Sequence, residues 1–317
     1  MHSSSAGVLD QLPQGSRVLI VRLRSMGDCV LTTPAIRMLG EYRPDLRIGV
    51  VVETRFADIF RNNPAVCAVL PPSVPQVVRF RPRLCLNLHG GTRSQILTLA
   101  SRARVKAGFS HHRGARLYRV RIPRAQEILG EERPVHTAEH LASAVFYLGC
   151  PRREIPRAQL FAAPPGRPRP YAVVHPTAAA AYKTWPPAGF LAVATRLRER
   201  HGLEVVFIGS AGDDMSPFRG YESLVGAPLG EVISLISGAA CFVGNDSGPA
   251  HIAAAYDVPL VVLFGRREHE VTWAPWRASA ARTLVDPEGI GRIAEAKVLE
   301  ALEEALSRRG NGGYGGG

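Results

Sequence analysis

The stretch from Arg17 to Leu39 reads RVLIVRLRSMGDCVLTTPAIRML, and it decides the class of fold. Its first part, residues 17–23, is mostly apolar and rich in Val and Ile, which predicts a buried strand. Apolar residues then recur at helical spacing from Asp28 to Tyr42, which predicts a helix. A strand that leads directly into a helix indicates the start of a βαβ unit and therefore a parallel sheet.

The alternation of strands and helices continues on both sides of a proline-rich segment. Residues 162–170 (AAPPGRPRP) contain four prolines and a glycine, which is typical of a linker. The further predicted strands are residues 47–52, 66–70 and 84–88 before this segment, and residues 171–175, 204–209, 240–244 and 259–264 after it. The further predicted helices are residues 94–102, 137–148, 187–200, 229–237, 249–256 and 290–307.

This pattern predicts an α/β protein with two Rossmann-like, parallel-sheet domains that face each other across a cleft. Ligands in such sheets bind beyond the carboxyl ends of the strands. The predicted divisions are a disordered N-terminus (1–14), a first domain (15–161), the linker (162–170), a second domain with a terminal helix (171–309) and a flexible, glycine-rich tail (310–317).

The charge of the chain is large and uneven. The 317 residues carry 39 Lys and Arg against 27 Asp and Glu, a formal net charge of +12, and three of the basic residues are lysines. Residues 1–165 have a net charge of +13 and residues 166–317 a net charge of −1. A basic first half indicates an anionic partner, such as nucleic acid, a membrane surface or a charged acceptor. The arginines are scattered and match no nucleic-acid module, so we expect no nucleic-acid partner.

The composition also indicates in which cellular compartment the protein works. The five cysteines are widely spaced, with no C-x-x-C pair, which argues against a disulfide framework or a zinc site and favours a reducing compartment. The N-terminus does not resemble a secretory signal, and no apolar run approaches the ~18 residues of a membrane span. We therefore expect a cytoplasmic protein whose contact with a membrane is peripheral.

The first candidate motif is the sequence RSMGD, residues 24–28, directly after the first strand. Asp28 could cap the following helix through backbone N–H groups, or it could act as a general base at the edge of the sheet. The spacing leaves both interpretations open. His89 follows another predicted strand and is a candidate contact for an acceptor substrate.

The second motif is HPTAAAAYKTWP, residues 175–186, in a predicted strand-to-helix loop. Lys183 suits a phosphate oxygen as a compact point charge, and Thr177 could donate its hydroxyl to the same group. The alternatives are a solvated surface lysine and a turn-forming threonine.

Two more motifs follow strands in the second half. In GNDSGPAH, residues 244–251, the polar residues followed by Gly and Pro are typical of a helix N-terminus, which binds anions or is simply well capped. His251 lies one turn into that helix and could be a ligand contact or a core histidine. In GSAGDD, residues 209–214, Asp213 could bind a ribose hydroxyl or start a helix. Neither motif contains a D-x-D pair, so nothing here requires a metal.

In this order and spacing, the four motifs resemble glycosyltransferase family 9, the bacterial lipopolysaccharide heptosyltransferases. The matching stretches are residues 17–39, 175–186 and 242–265, with Gly108-Phe109 and residues 136–149 between them. The resemblance spans roughly residues 17–305. It implies the GT-B fold, with the acceptor bound to the N-terminal domain and the nucleotide sugar to the C-terminal domain.

The resemblance implies an inverting, metal-independent transfer of heptose from ADP-heptose to a Kdo or heptose hydroxyl of the lipopolysaccharide inner core. Asp28 is then the general base, while Lys183 and Thr177 neutralise the leaving diphosphate. The remaining implied donor contacts are Asp213 to the ribose, the backbone of Ser247 and Gly248 to the phosphates, and Asp246 and His251. The implied acceptor contacts are Arg24, Ser25 and His89. The resemblance implies no cofactor beyond the ADP-sugar substrate. It also implies that the protein acts at the inner face of the inner membrane, whose surface is anionic.

The chain departs from the family pattern at three places. Arg266-Arg267-Glu268-His269 stands where the family has Pro-Thr after Phe-Gly, residues 178–181 are four alanines, and Asn87 replaces a common aspartate. Alternative functions are a GT-B enzyme with another nucleotide sugar or another acceptor, a glycan or a protein, and a sugar-nucleotide epimerase.

Overall fold

The computed structural model describes residues 7–312 of the chain, with side chains to residue 308. The chain divides between Phe161 and Ala162 into two compact units, which we call the first and the second unit. This division falls at the start of the proline-rich segment.

The first unit is built on a parallel sheet of six strands in the order β3-β2-β1-β4-β5-β6. The strands are β1 (Arg17–Val21), β2 (Arg47–Val51), β3 (Val66–Leu70), β4 (Leu84–Asn87), β5 (Val105–Phe109) and β6 (Val120–Ile122). The helices are α1 (Met26–Tyr42), α2 (Val74–Phe80), α3 (Thr92–Ala100), α4 (Ala125–Leu129) and α5 (Thr137–Tyr147). This is the Rossmann strand order, and the direction of winding reverses between β1 and β4.

The second unit repeats this topology in the order β12-β11-β10-β7-β8-β9. The strands are β7 (Tyr171–His175), β8 (Glu204–Gly209), β9 (Glu222–Val225), β10 (Cys241–Asn245), β11 (Leu260–Phe264) and β12 (Ala281–Val285). The helices are α6 (Pro187–His201), α7 (Leu229–Ser237), α8 (Gly248–Ala255), α9 (Arg267–Trp273) and α10 (Glu295–Gly312). Here the winding reverses between β7 and β10, so the two units place their loops in equivalent ways.

The central strands are apolar on both faces because helices cover both sides of each sheet. All five residues of β7, β10 and β11 are buried, as expected for the interior of a parallel sheet. In the second unit Trp185, Phe190 and Phe207 pack in one core with residues of α10. The prediction of two Rossmann-like parallel sheets in an α/β chain is confirmed.

Elements without a clear hydrophobic period were missed by the sequence prediction. These are the strands β5, β6, β9 and β12 and the helices α2, α4 and α9. Strand β9 is largely exposed and α9 has no buried residue, so neither has the apolar pattern that identifies an element. The last helix was predicted to begin at Ile290 and begins at Glu295, because Ile293 is extended, with ψ of 113°, and separates a short 3₁₀ turn from α10.

The prediction of disorder for residues 1–14 is wrong for residues 7–14, while residues 1–6 lie outside the described part. Leu9 and Leu12 are buried, and the backbone N–H of Leu9 donates to the carbonyl of Leu148 at 2.9 Å. Arg43, just after α1, donates to the carbonyl oxygens of both leucines. Two apolar side chains and these hydrogen bonds offset the entropy of ordering the segment.

The prediction of a flexible tail for residues 310–317 is wrong for residues 310–312. Residues 310–312 are helical as the end of α10, and residues 313–317 lie outside the described part. Within the described residues, no helix combines the length and the apolar composition that crossing a membrane requires.

The N-terminal segment gives a test of the fold. Leu9→Ala removes a fully buried side chain, so we expect the free energy of unfolding to fall by about 2–5 kcal/mol. Circular dichroism should show this as a lower melting temperature. The exposed Gln14→Ala is the control and should shift the melting temperature little. Equal melting temperatures for Leu9→Ala and wild type would show that the segment does not pack in solution.

Candidate functional site

The candidate residues of the first unit lie where β1 and β4 end, at the point where the winding reverses. Asp28 is in the first turn of α1, and its Oδ2 accepts hydrogen bonds from the backbone N–H and the hydroxyl of Ser25, at 3.3 and 3.2 Å. Ser25 is the N-cap of α1 and Asp28 is its third residue, so Asp28 contributes to capping as the partner in a capping box. The Asp28 side chain remains 28% exposed, so capping leaves part of the carboxylate open to a ligand.

A buried arginine that the sequence analysis missed lies beside this carboxylate. Arg22 directly follows β1, and its Nη1 is 3.8 Å from Oδ2 of Asp28. Burial lowers the pKa of the Arg22 guanidinium, and the charge of Asp28 raises it. The Nε of Arg22 has no hydrogen-bond partner among the described residues. The sequence pattern includes Arg22 in the first predicted strand. Only the structure shows that β1 ends before Arg22 and that its guanidinium group lies beside Asp28.

Histidines collect around Arg22. Burial, followed by the charges of Arg22 and Arg24, lowers the pKa of His89, and Asp28 acts in the opposite direction. His89 therefore lies within electrostatic range of Arg24 and Asp28, two other candidate residues of the first unit. Burial, with nearby positive groups, also lowers the pKa of His112 to about 4 and that of His140 to about 3. These imidazoles are therefore neutral near pH 7, and the positive charge at this edge comes from arginine.

Asn87, which replaces the common aspartate, holds the loop between β4 and α3. Its Oδ1 accepts hydrogen bonds from the backbone N–H groups of His89 and Gly90, and its Nδ2 donates to Ser94 Oγ and Tyr118 Oη at 3.1 and 3.0 Å. An aspartate could not make the last two bonds as a donor. The departure at position 87 is therefore a matched polar network, and it positions His89.

A groove with a volume of about 600 Å³ lies beside this loop. It is lined at one side by Thr92 and Gln95 of α3, and at the other by Arg113, Arg116 and Arg121. None of the salt bridges found among the described residues involves these three arginines, although many other arginines of the chain pair with a carboxylate. Three uncompensated guanidinium groups around one groove favour an anionic ligand. Their scattered positions in sequence gave no sign of this convergence.

In the second unit, three of the candidate motifs meet beyond the ends of β7, β8 and β10. The hydroxyl of Thr177 donates to Asp213 Oδ2 at 2.6 Å, and that same oxygen accepts from the backbone N–H of Ser210 at 2.7 Å. His175 Nδ1 lies 2.9 Å from the hydroxyl of Ser247. Burial lowers the pKa of His175 to about 4, so the ring is neutral near pH 7. His175 ends a strand and was not among the predicted site residues.

Lys183 forms a close ion pair with Asp246. The Nζ of Lys183 is 2.7 Å from Oδ2 of Asp246, and the side chains are 21% and 8% exposed. The alternative of a freely solvated surface lysine is therefore wrong. The ammonium also lies 5.7 Å from the centre of the Trp273 ring.

Asn245, the last residue of β10, fixes the loop that carries Lys183. Its Oδ1 accepts from the backbone N–H of Trp185 at 3.1 Å, and its Nδ2 donates to the carbonyl of Pro176 at 2.9 Å. Asn245 is fully buried. The loop from residue 176 to residue 185 is thus held at both ends by one side chain, a role that the motif around Asp246 did not reveal.

The N-terminus of α8 lies in the same region. Ser247 is the N-cap with an extended backbone (φ −158°), Gly248 begins the helix and Pro249 follows. The first N–H groups of a helix have no partner within it, and the helix dipole favours an anion there. His251 is almost fully buried, so little of its imidazole is available to a ligand in this state. No group of three or more His, Cys, Asp or Glu side chains within the described residues could hold a metal ion.

Comparison with known proteins agrees with this geometry. The family model of glycosyltransferase family 9 (heptosyltransferase) matches residues 83–290. The Escherichia coli protein named lipopolysaccharide heptosyltransferase 3 is 29% identical over 302 residues, which cover 80% of this chain and 84% of that protein. The solved structure of the E. coli ADP-heptose lipopolysaccharide heptosyltransferase II superposes with a TM-score of 0.77 at 20% identity, covering 93% of this chain and 99% of that one.

A second solved structure, E. coli heptosyltransferase WaaC with ADP, gives a TM-score of 0.74 at 21% identity, covering 91% of this chain and 99% of that one. The two structural matches confirm the predicted GT-B fold class. The family model spans more than half of the chain, including the basic groove and the Lys183–Asp246 pair. The chain therefore belongs to glycosyltransferase family 9 (heptosyltransferase) and is a glycosyltransferase.

Proposed function

We propose that this glycosyltransferase moves heptose from ADP-heptose to a hydroxyl of Kdo or heptose in the inner core of lipopolysaccharide. The names of its relatives support the reaction, and the Lys183–Asp246 pair beside the N-terminus of α8 is the observation that carries it. An ammonium and free helical N–H groups in one place suit the diphosphate of a nucleotide sugar.

The second unit binds the donor in this proposal. Lys183 and the backbone N–H groups of Ser247 and Gly248 hold the phosphates and stabilise the charge that develops on ADP as it leaves. Asp213, which already orients Thr177, contacts the ribose. Asp246 contacts the sugar. No step requires a metal, because these groups supply the positive charge that the leaving diphosphate needs.

The first unit binds the acceptor, and Asp28 is the general base. The Asp28 carboxylate takes the proton of the acceptor hydroxyl as that oxygen attacks the anomeric carbon of the donor. The bond between the anomeric carbon and ADP breaks as the new one forms, and attack from the opposite face inverts the configuration. Ser25 fixes the orientation of the carboxylate, and Arg24 and His89 contact the acceptor next to it.

The basic groove supports an anionic acceptor. Inner-core acceptors carry Kdo carboxylates and lipid phosphates, which match the three arginines that line the groove. On the next turn of α3, Ile96 and Leu99 are exposed. We therefore propose a cytoplasmic protein that touches the anionic inner face of the inner membrane through this part of the first unit.

Replacing the base tests the mechanism directly. Asp28→Asn keeps the size of the side chain and removes its basicity, so kcat should fall by about 10²–10⁴-fold while ADP affinity stays unchanged. Transfer is followed by mass spectrometry and binding by calorimetry. The matched control is Asp58→Asn, which also removes an acid that is about one quarter exposed and bonded to an arginine. Substantial residual transfer by Asp28→Asn would show that another group takes the proton.

Replacing the lysine tests the phosphate site. Lys183→Ala removes the ammonium, so we expect ADP to bind about 10–100-fold more weakly in calorimetry. Lys297→Ala removes an exposed lysine of α10 and should bind ADP as the wild type does. An unchanged affinity in Lys183→Ala would refute the phosphate role.

Reversing charge in the groove tests the acceptor site. The double variant Arg113→Glu, Arg116→Glu should raise the KM of an inner-core acceptor by about tenfold or more and leave ADP affinity unchanged. Arg47→Glu is the control, because Arg47 is exposed at the start of β2 and therefore at the opposite end of the sheet. Equal acceptor KM values for the double variant and the control would exclude the groove from acceptor binding.

A further inference from the structure

The segment that departs most from the family pattern contacts the ion pair of the donor site. His269 lies on α9, and its Nδ1 is 3.8 Å from Oδ2 of Asp246, the oxygen that Lys183 also approaches. The His269 side chain is 20% exposed, but Nδ1 itself is buried and has no hydrogen-bond partner among the described residues. Two side chains with N–H donors therefore face one carboxylate oxygen, and only Lys183 reaches it.

The His269 ring contacts two aromatic rings. It makes an edge contact with Trp273 at 5.4 Å and a tilted contact with Tyr182 at 6.0 Å, measured between ring centres. A side chain at Gly265 would collide with the carbonyl oxygen of Tyr182, so glycine is what allows the lysine loop to pack against this segment. The loop that carries Lys183 and the helix that carries His269 thus meet around Asp246.

The contact of His269 with Asp246 bears on an electrostatic problem, which is how Asp246 is paired when Lys183 binds the donor phosphates. While the ammonium of Lys183 holds Asp246 at 2.7 Å, the carboxylate offsets its positive charge, so the ammonium attracts a diphosphate more weakly than an unpaired lysine would. If it turns to the phosphates, the nearly buried carboxylate of Asp246 loses its partner, and a buried charge left without a partner is strongly destabilising. A second donor to Asp246 would therefore free the charge of Lys183 for the diphosphate and strengthen binding of the nucleotide sugar.

We propose that His269 is that second donor, a positioning residue whose Nδ1–H donates to Asp246 when Lys183 turns to the donor diphosphate. The proposal rests on the proposed phosphate role of Lys183. The groups that face or flank the imidazole are Tyr182, Lys183, Asp246 and Trp273, together with Glu268 and Glu270 on its own helix. Glu270 is already bound by Arg267 and Thr283. His269 is thus the donor placed to take over the carboxylate, and it keeps Asp246 oriented toward the sugar.

Two substitutions separate the donor atom of His269 from its packing. His269→Phe keeps a ring between Trp273 and Tyr182 but has no N–H, whereas His269→Asn keeps a donor nitrogen close to the position of Nδ1. We expect His269→Phe to bind ADP about tenfold more weakly than wild type and His269→Asn to bind within about threefold. Adenosine has no phosphate and leaves Lys183 on Asp246, so its affinity should not change in either variant.

Controls make each outcome decisive. His201→Phe removes another histidine of the second unit, 3.0 Å from Glu303, and should not affect ADP. Thermal unfolding shows whether each variant is folded. If His269→Phe binds ADP as wild type while Lys183→Ala does not, the takeover by His269 is wrong. A parallel loss of ADP and adenosine would also overturn it, because that result means a role in packing. If Lys183→Ala binds ADP normally, the phosphate role itself has failed.

Discussion

The two hydrogen bonds of the Asn245 carboxamide are the contacts on which the rest of the second unit's site depends. They reach the carbonyl of Pro176 and the N–H of Trp185, which stand on either side of Lys183 in the chain. Asn245 also ends β10, so its neighbour Asp246 begins the polar loop that leads to α8. One buried side chain therefore fixes both partners of the ion pair relative to the sheet. Loss of either bond would leave a buried polar group unpaired, which costs more than the bond itself contributes.

The first unit uses the same device at the equivalent place. Asn87 ends β4, the strand next to the winding reversal, just as Asn245 ends β10. Its carboxamide ties the loop that carries His89 to Ser94 and Tyr118. In both units the side-chain amide donates and accepts hydrogen bonds at the same time and so links different elements. An ionised carboxylate in its place could only accept hydrogen bonds. A transfer reaction needs its reactive groups in fixed positions, because misplaced groups lower the reaction rate. The two asparagines meet this need by fixing the loops at the edge of each sheet.

The sequence predicts those parts of the structure that local patterns determine. The apolar runs of β1, β7 and β11 identify central strands, and the residues around Asp28 and Ser247 identify helix starts because capping is local.

Contacts between residues that are distant in the chain were not predictable from the sequence. Lys183 and Asp246, for example, are 63 residues apart and meet only because the sheet brings their loops together. Strand β9 and helix α9 lack an apolar period. The N-terminal segment looked disordered because its two leucines find their neighbours only in the folded unit. The uneven charge was visible, but not that Arg113, Arg116 and Arg121 line one groove.

These features describe a glycosyltransferase with a basic first unit and a second unit to which we assign the binding of the donor phosphates. The segment that departs from the family pattern, at α9, lies against the Lys183–Asp246 pair, which we assign to binding of the donor. The central claim is therefore that the donor is ADP-heptose. The most direct measurement is mass spectrometry of a Kdo-containing inner-core acceptor incubated with the protein and ADP-heptose, UDP-sugars or GDP-sugars in parallel. The account predicts the addition of one heptosyl residue from ADP-heptose alone. Transfer from a UDP- or GDP-sugar, with none from ADP-heptose, would contradict it.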